Sequence, residues 1–247
     1  MPKLIIITVF NNIELYEQMK ASVLETKNDV FVEFYGIDNT TNKYSSAASA
    51  YNEAIKNICN EDDILLFCHQ DLIFKRNTIN MFYNLCTNDA NTVFGAAGAT
   101  ECKRYYNKPK KKVRVVTTIN DLSEMEKSEI IEVFTIDELL IVGKAKIFKD
   151  IMFDEKTCDD WHLYVADFCL QCHIKGYGVK VLGCDLIHLS AGIINKAFRR
   201  AEKRLARKYA GVYPIINYTC GSAYTNYILY YLYRLYSKIK PFIKKAD

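Results

Sequence analysis

In the stretch DDILLFCHQDLIF (62–74), Ile64 to His69 read as a buried strand, and His69, Gln70 and Asp71 come together at its end between apolar flanks. A carboxylate and an imidazole so placed are donors for a hard divalent cation. Mg²⁺ or Mn²⁺ bound to a diphosphate needs only one or two protein ligands, because phosphate oxygens and water complete the octahedron. Asp71 suits one such position and His188, in LIHLSAG, suits another; Mn²⁺ accepts imidazole nitrogen more readily than Mg²⁺. Each residue also has a plainer reading. Asp71 is equally suited to cap a helix, and His188, between Ile187 and Leu189, to a satisfied core position. Asp167 has apolar neighbours at helical spacing, so it reads as either a buried base or a bonded structural acid.

The elements that must position these groups follow from hydrophobic periodicity. KLIIITVF (3–10), VFVEFYGID (30–38), DILLFCH (63–69) and TVFGAAGA (92–99) read as strands. Helical patterns at 13–24, 47–58 and 78–86 separate them. This alternation predicts an α/β fold with a mostly parallel, doubly wound, Rossmann-like sheet flanked by helices. Ligands bind outside the carboxyl ends of the strands in such sheets, and Asp38 and Asp71 both fall there. Neither common glycine-rich phosphate cradle is present, so a pyrophosphate here requires a metal held by side chains. The polar, lysine-rich segment 101–132 predicts an irregular excursion. VFTIDELLIVGKAKIF (133–148) returns to strand and short helix, 159–175 to a helix stopped at Gly176, and VKVLGCDLIHLSAG (179–192) to a strand and loop.

Composition narrows the class. With 247 residues, half of them apolar and a quarter charged, the chain has the make-up of a globular protein with a substantial core. The opening apolar run, LIIITVF, is too short for a leader's apolar region or a membrane span, which predicts a cytoplasmic protein. The nine cysteines lie within or beside apolar runs and read as free thiols packed as small hydrophobes. CLQCH (169–173) matches a haem-attachment spacing, but its helical context favours core packing. Net charge is only +4, yet KRYYNKPKKKVR (103–114) and KAFRRAEKRLARK (196–208) are strongly basic. Such runs read as solvated faces or as sites for phosphate-bearing substrates, anionic lipid or nucleic acid.

Taken in order, eight pieces resemble the GT-A glycosyltransferases of the family-2 type, in the branch with His-Gln-Asp in place of Asp-x-Asp. They are ITVF (6–9), YGIDN (35–39), SSAASAYNEAI (45–55), LLFCHQDLIF (65–74), FGAAGA (94–99), FDEKTCDDWHLYVADFCL (153–170), GYGVKV (176–181) and IHLSAG (187–192). The resemblance spans roughly residues 3 to 195. It implies that Thr8, Val9 and Asp38 hold the nucleotide base, with Asn52 near the nucleotide. It implies that His69 and Gln70 contact the sugar or phosphate, that Asp71 and His188 bind Mn²⁺ or Mg²⁺, and that Asp167 is the catalytic base. Two positions depart from the pattern: Ala166 stands where the family has glutamate, and His69 where it has the first acid. The Gln-x-x-Arg-Trp motif of processive synthases is absent, which implies single-sugar transfer.

The expected activity is therefore inverting, metal-assisted transfer from a nucleotide-sugar, with UDP as the nucleotide. The acceptor would be a hydroxyl on a cell-surface glycan, glycolipid or glycoprotein. A sugar nucleotidyltransferase is the rival enzyme, but it carries a glycine-rich basic loop where this chain has TVFNNIEL. A nucleic-acid-binding protein is the rival from another class; the basic runs lack interleaved stacking aromatics beyond Tyr105 and Tyr106, so nucleic acid is not an expected partner. The predicted organisation is a catalytic domain over 1–195, with a nucleotide-binding half (1–100) and an acceptor half (130–195), followed by a basic, tyrosine-rich helical extension (196–247). From Tyr224 to Lys245 the extension repeats Tyr, Leu and Ile at helical spacing. Two readings stand open for it: a helix packed on the domain or on a dimer partner, and a helix lying peripherally on the inner membrane face, close to a lipid-linked acceptor.

Overall fold

The protein is described from a computed structural model, covering residues 2–26, 29–58, 60–100, 115–121, 125–190, 192 and 194–243. The basic run 103–114 lies outside the described residues.

In chain order the elements are β1 (Leu4–Phe10), α1 (Ile13–Glu25), β2 (Val32–Asp38), α2 (Ala47–Asn57), β3 (Ile64–Cys68), β4 (Leu72–Phe74) and α3 (Thr78–Asn88). Then come β5 (Thr92–Gly95), β6 (Ala97–Ala99), β7 (Val115–Thr117), β8 (Ile130–Glu132), β9 (Thr135–Ile136), β10 (Leu140–Lys144) and α4 (Ala145–Asp150). The chain ends with α5 (Tyr164–Lys175), β11 (Gly178–Leu182), β12 (Leu186–His188), α6 (Lys196–Lys208), β13 (Ile215–Tyr218), β14 (Gly221–Tyr224) and α7 (Tyr227–Ile243). The main sheet runs β2-β1-β3-β10-β5-β11-β8. β2, β1, β3, β5 and β11 share one direction, while β10 and β8 run against it. The sheet is thus mostly parallel, as its βαβ alternation predicts.

Its strands read as continuous apolar runs because both faces are covered. Along β1, Ile5 and Ile7 enter the core shared with α2, α4 and α5, whereas Leu4 and Ile6 enter the core shared with α1 and α3. α1 and α2 begin at side-chain caps: Asn12 accepts from the N–H groups of Glu14 and Leu15, and Ser46 from that of Ser49.

Two expectations need correction. The single strand expected over 92–99 is two strands, because Gly95 sits against the β9 ribbon; a Cβ there would lie 2.2 Å from Ile136 Cγ2. β6 consequently leaves the main sheet and pairs with β7 and β9. The 133–148 segment also does more than return to strand. β10 inserts antiparallel between β3 and β5, carrying the turn that precedes it to the carboxyl end of β3.

A third cluster holds the C-terminal part. Phe198, Ala201 and Leu205 of α6 pack with Leu163, Ala166 and Leu170 of the α5 region, and with Ile216 and Tyr230. The expected boundary at 195 therefore runs through shared core. Buried Glu202 ties the elements together: it accepts from the hydroxyl of Tyr230 at 3.0 Å and from Tyr218 and Arg234. Among the described cysteines all are free thiols, and every one but Cys220 is buried. Cys169 and Cys172 of the CLQCH motif belong to the core of α5.

Candidate active site

The site forms where β3 ends. The backbone N–H of His69 donates to Leu139 O (3.0 Å), which pins the end of β3 to the turn before β10. Asp71 is then set by the β4–β12 ribbon: His188 pairs with Leu72, and Leu189 N–H donates to Asp71 O (3.1 Å). Asn120 fixes the His188 backbone from both sides, donating to its carbonyl (3.1 Å) and accepting its N–H (2.9 Å).

This register brings His188 Nε2 within 3.4 Å of Asp71 Oδ1, with His69 Nδ1 at 3.9 Å from the same oxygen. One donor atom from each of the three residues lies within 4.8 Å of the others. Two imidazoles and a carboxylate suit Mn²⁺ well and Mg²⁺ less well, and an octahedral ion held by three such ligands keeps three positions for phosphate oxygens and water. The residues therefore fit the expected cation. Electrostatics agree with a site poised for positive charge. Burial opposes ionisation of Asp71, yet hydrogen bonds from His188 and Ser190, with the charge of His188, hold its carboxyl well below the usual carboxylate range. The Asp71 bond raises the pKa of His188 against burial, while burial lowers that of His69.

Two adjoining cavities open here. One, of about 280 Å³, is lined by Val9, Phe10, Asn11, Asn39, His69, Gln70, Asp71 and Trp161. Gln70 shapes its rim, accepting the N–H groups of Asn11 (3.0 Å) and Asn12 (2.9 Å) and donating to Asn11 Oδ1 (2.7 Å). The other, of about 540 Å³, is walled by His69, His188, Asp137, Glu138, Trp161, His162 and Phe198, among others. Trp161 and His69 border both.

Of the residues singled out from sequence, the structure brings together Val9, His69, Gln70, Asp71 and His188. Asp38 stands one step away, in a neighbouring groove with Lys43 and Tyr44, where it accepts from the N–H (2.8 Å) and hydroxyl (2.7 Å) of Thr40. Three others turn elsewhere. Thr8 is fully buried, its hydroxyl 3.2 Å from Cys68 Sγ. Asn52 bridges to the backbone of Phe153 and to Glu155, so it joins α2 to the segment before α5. Asp167 is sealed inside, bonded by Lys208 (2.7 and 2.9 Å), the Tyr209 hydroxyl (2.9 Å) and Gln171 (2.8 Å). A base must reach the proton it removes, and this carboxylate faces its own packing instead.

The carboxylates that do face the larger cavity are Asp137 and Glu138, in the turn between β9 and β10. Asp137 is engaged on both oxygens, by the Leu139 N–H (3.1 Å) and the Thr219 hydroxyl. Glu138 accepts from the Leu163 N–H through Oε1; among the described residues nothing bonds its Oε2. Burial, then the charge of Asp137, pushes the Glu138 carboxyl up to about 8. Leu163 is itself held at φ +63°, a left-handed conformation unusual for a bulky side chain. Its N–H bond to Glu138 ties the start of α5 to the turn between β9 and β10. The signal for Glu138 was present in the sequence: TIDELL places adjacent acids in an apolar run, the same anomaly that marks Asp71.

Residues 5–209 match the model of the "Glycosyltransferase like family". The chain belongs to this family. Solved structures agree at the level of fold, which is GT-A. S. aureus TarS (residues 1–349) in complex with UDP-GlcNAc is similar with a TM-score of 0.51 and 14% identity, over 83% of this chain and 66% of that one. GalNAc-T7 with UDP, GalNAc and Mn²⁺ gives 0.58 and 8%, over 85% of this chain and 51% of that one. The catalytic domain of Drosophila β1,4-galactosyltransferase 7, complexed with xylobiose, gives 0.51 and 11%, over 83% and 81%. This glycosyltransferase-like chain thus spans about two thirds of the TarS piece and half of GalNAc-T7. No curated protein matches it.

Proposed function

We propose that this member of the glycosyltransferase-like family transfers one sugar from a UDP-sugar to an acceptor hydroxyl, with inversion at the anomeric carbon. The observation that carries this reading is the His69–Asp71–His188 cluster at the strand ends, opening on the cavity that Glu138 walls. The UDP-GlcNAc held by TarS, and the UDP and Mn²⁺ held by GalNAc-T7, support the choice of donor and ion.

In this reading the smaller cavity takes the nucleotide, between Val9, Asn11 and Asn39, with Asp38 as an outlying contact. His69, Asp71 and His188 would hold Mn²⁺ or Mg²⁺, which would supply positive charge to offset that on the departing diphosphate. Glu138 Oε2 accepts the proton of the acceptor hydroxyl. The acceptor oxygen bonds to the anomeric carbon as the bond from that carbon to the diphosphate oxygen breaks, and UDP leaves with the electron pair. Burial, and after it the charge of Asp137, raises the pKa of the Glu138 carboxyl, which makes it the stronger base once ionised. Trp161, 37% exposed and bordering both cavities, offers an apolar face for a sugar ring. The acceptor enters through the larger cavity.

The test is to incubate the protein with UDP-, GDP- and TDP-sugars and Mn²⁺ across an acceptor panel, reading the released phosphate species and the anomer formed. UDP release from a UDP-sugar, with inverted product, is expected. Pyrophosphate release would assign the chain to nucleotidyl transfer instead, and a retained anomer would remove Glu138 as the base of a single in-line displacement.

A further inference from the structure

The C-terminal part presents a surface whose charges and apolar groups are unequally used. α6 carries seven cations. Those turned toward the domain meet acids: Arg199 with Glu202 (3.1 Å), Arg200 with Asp160 (3.6 Å), Arg204 with Asp159, and Lys208 with Asp154 (2.8 Å) and Asp167. Lys203 and Arg207, one turn apart, meet no acid among the described residues. Instead they line a cavity of about 360 Å³ with Tyr224, Asn226, Tyr227 and Tyr231. Lys203 Nζ lies 5.2 Å from the centre of the Tyr231 ring. From Lys203 onward the chain has one acid, Asp247.

α7 divides in the same way. Tyr230 and Arg234 turn inward to Glu202, anchoring the helix. Ile228, Leu229, Leu232 and Leu235 are exposed. These apolar residues repeat at helical spacing on the side away from the anchor. A free surface of this kind needs a partner. A second copy of the chain meeting it through two-fold symmetry would set the same patch against itself, opposing Lys203 and Arg207 to their own copies. A polyanion such as nucleic acid would leave the aliphatic row uncovered. No helix among the described residues is long and apolar enough to cross a membrane, so the face can only lie along one.

We propose that the α6–α7 face docks on an anionic lipid surface. A headgroup phosphate sits between Lys203 and Arg207, and the outer face of α7 lies at the acyl boundary with its tyrosines at headgroup depth. Amphipathic helices bind in this manner through apolar burial and attraction to anionic lipid together. The proposal does not rest on the reading of the transfer site, since vesicle binding and UDP-sugar turnover are separate measurements.

The experiment is flotation of the full chain with phosphatidylcholine vesicles, with and without phosphatidylglycerol. Co-flotation is expected only with phosphatidylglycerol, weakening as salt rises. Each cation near such a surface is worth about a fivefold gain in binding, so Lys203→Ala with Arg207→Ala should weaken partition about 30-fold. Leu232→Ser with Leu235→Ser should release the protein even at low salt. Both variants change exposed or half-exposed side chains, and unchanged thermal unfolding and UDP-sugar turnover would establish that they fold. Absence of flotation overturns the proposal, as does flotation that neither variant disturbs. A dimer in vesicle-free solution that Leu232→Ser with Leu235→Ser dissolves would assign the face to a second copy and likewise overturn it.

Discussion

Asp71 and Asp167 are both buried aspartates within reach of cationic groups, and the structure treats them in opposite ways. Asp167 has a lysine, a tyrosine hydroxyl and a glutamine amide on its two oxygens, all between 2.7 and 2.9 Å. Asp71 has two imidazoles at 3.4 and 3.9 Å, beside a cavity. The first is a completed ion pair that holds α5 to α6. The second is a looser cluster, in which His188 and Ser190 donate to the carboxylate and whose geometry a cation would tighten. A saturated carboxylate is part of the scaffold, whereas one left with spare coordination at a strand end is available for chemistry. Glu138, with one oxygen bonded and one unengaged, falls on the side of Asp71.

The two candidate bases, Glu138 and Asp167, should respond in opposite ways to removal of their charge. Glu138→Gln keeps an acceptor for the Leu163 N–H but removes the base, so transfer should fall by about 10²–10⁴-fold with UDP affinity retained. Asp167→Asn should leave transfer within a few-fold of wild type. If Asp167→Asn abolishes transfer in a folded protein, the sealed carboxylate is catalytic after all. The wild-type rate should also rise as pH increases through about 8, where Glu138 ionises. The same group supplies a stability check. Its pKa is raised on folding, so the stability it contributes is complete below the ordinary glutamate value near 4.5 and is lost as pH rises through about 8. Glu138→Gln should therefore gain stability relative to wild type across that interval, measured by urea unfolding at successive pH values.

Asp71→Asn removes the carboxylate from the His69–Asp71–His188 cluster. Loss of the only carboxylate among the three donors should lower turnover on the order of 10²–10³-fold, and Mn²⁺ should no longer strengthen UDP binding. His188→Ala should produce a smaller loss in the same titration. UDP affinity that responds to Mn²⁺ equally in both variants and wild type would remove the cluster as a metal site.

Much of the fold was legible because the signals were local. Continuous β-branched runs such as LIIITVF announce strands covered on both faces, and Asn12 and Ser46 announce helix starts. What could not be read was pairing at a distance. Nothing in LLIVGK distinguishes a parallel from an antiparallel neighbour, so the insertion of β10 between β3 and β5 was invisible, and with it the approach of Glu138 to His69. Candidate site residues stand out where an anomaly is sequential, as in HQD. The sequence is silent on which way a helix faces. Asp167 and Asn52 lie on the inner faces of α5 and α2, and their partners, Lys208 and Phe153, are 41 and 101 residues away.

On the scaffold side, Lys208→Met should strand Asp167 without its counter-charge. Removing one partner of a buried pair costs about 3–5 kcal/mol; Lys208 retains some exposure, its side chain being 27% accessible, so the lower end of that range is expected. Adding Asp167→Asn should restore most of the loss in chemical denaturation. If the double variant is no more stable than Lys208→Met alone, the carboxylate charge is not what the lysine neutralises.

Gln70 provides the finest test, because it lies between the two behaviours. It borders the smaller cavity, yet its amide is committed to the loop between β1 and α1, bonding the N–H groups of Asn11 and Asn12 and the Asn11 side chain. These bonds are exposed, so water replaces them readily, and Gln70→Ala should cost only about 1 kcal/mol in stability. The functional effect should appear in donor binding. The loop carries Asn11 against the smaller cavity; if that cavity takes the nucleotide as proposed, loosening the loop should raise KM for the UDP-sugar a few-fold while kcat changes little, since Glu138 and the His69–Asp71–His188 cluster stay in place. Gln70→Glu refines the point. It preserves an acceptor for the two N–H groups but opposes its charge to the diphosphate, so stability should hold while donor KM rises beyond that of Gln70→Ala. Equal KM values in the two variants would mean that Gln70 only shapes the loop and does not face the phosphates.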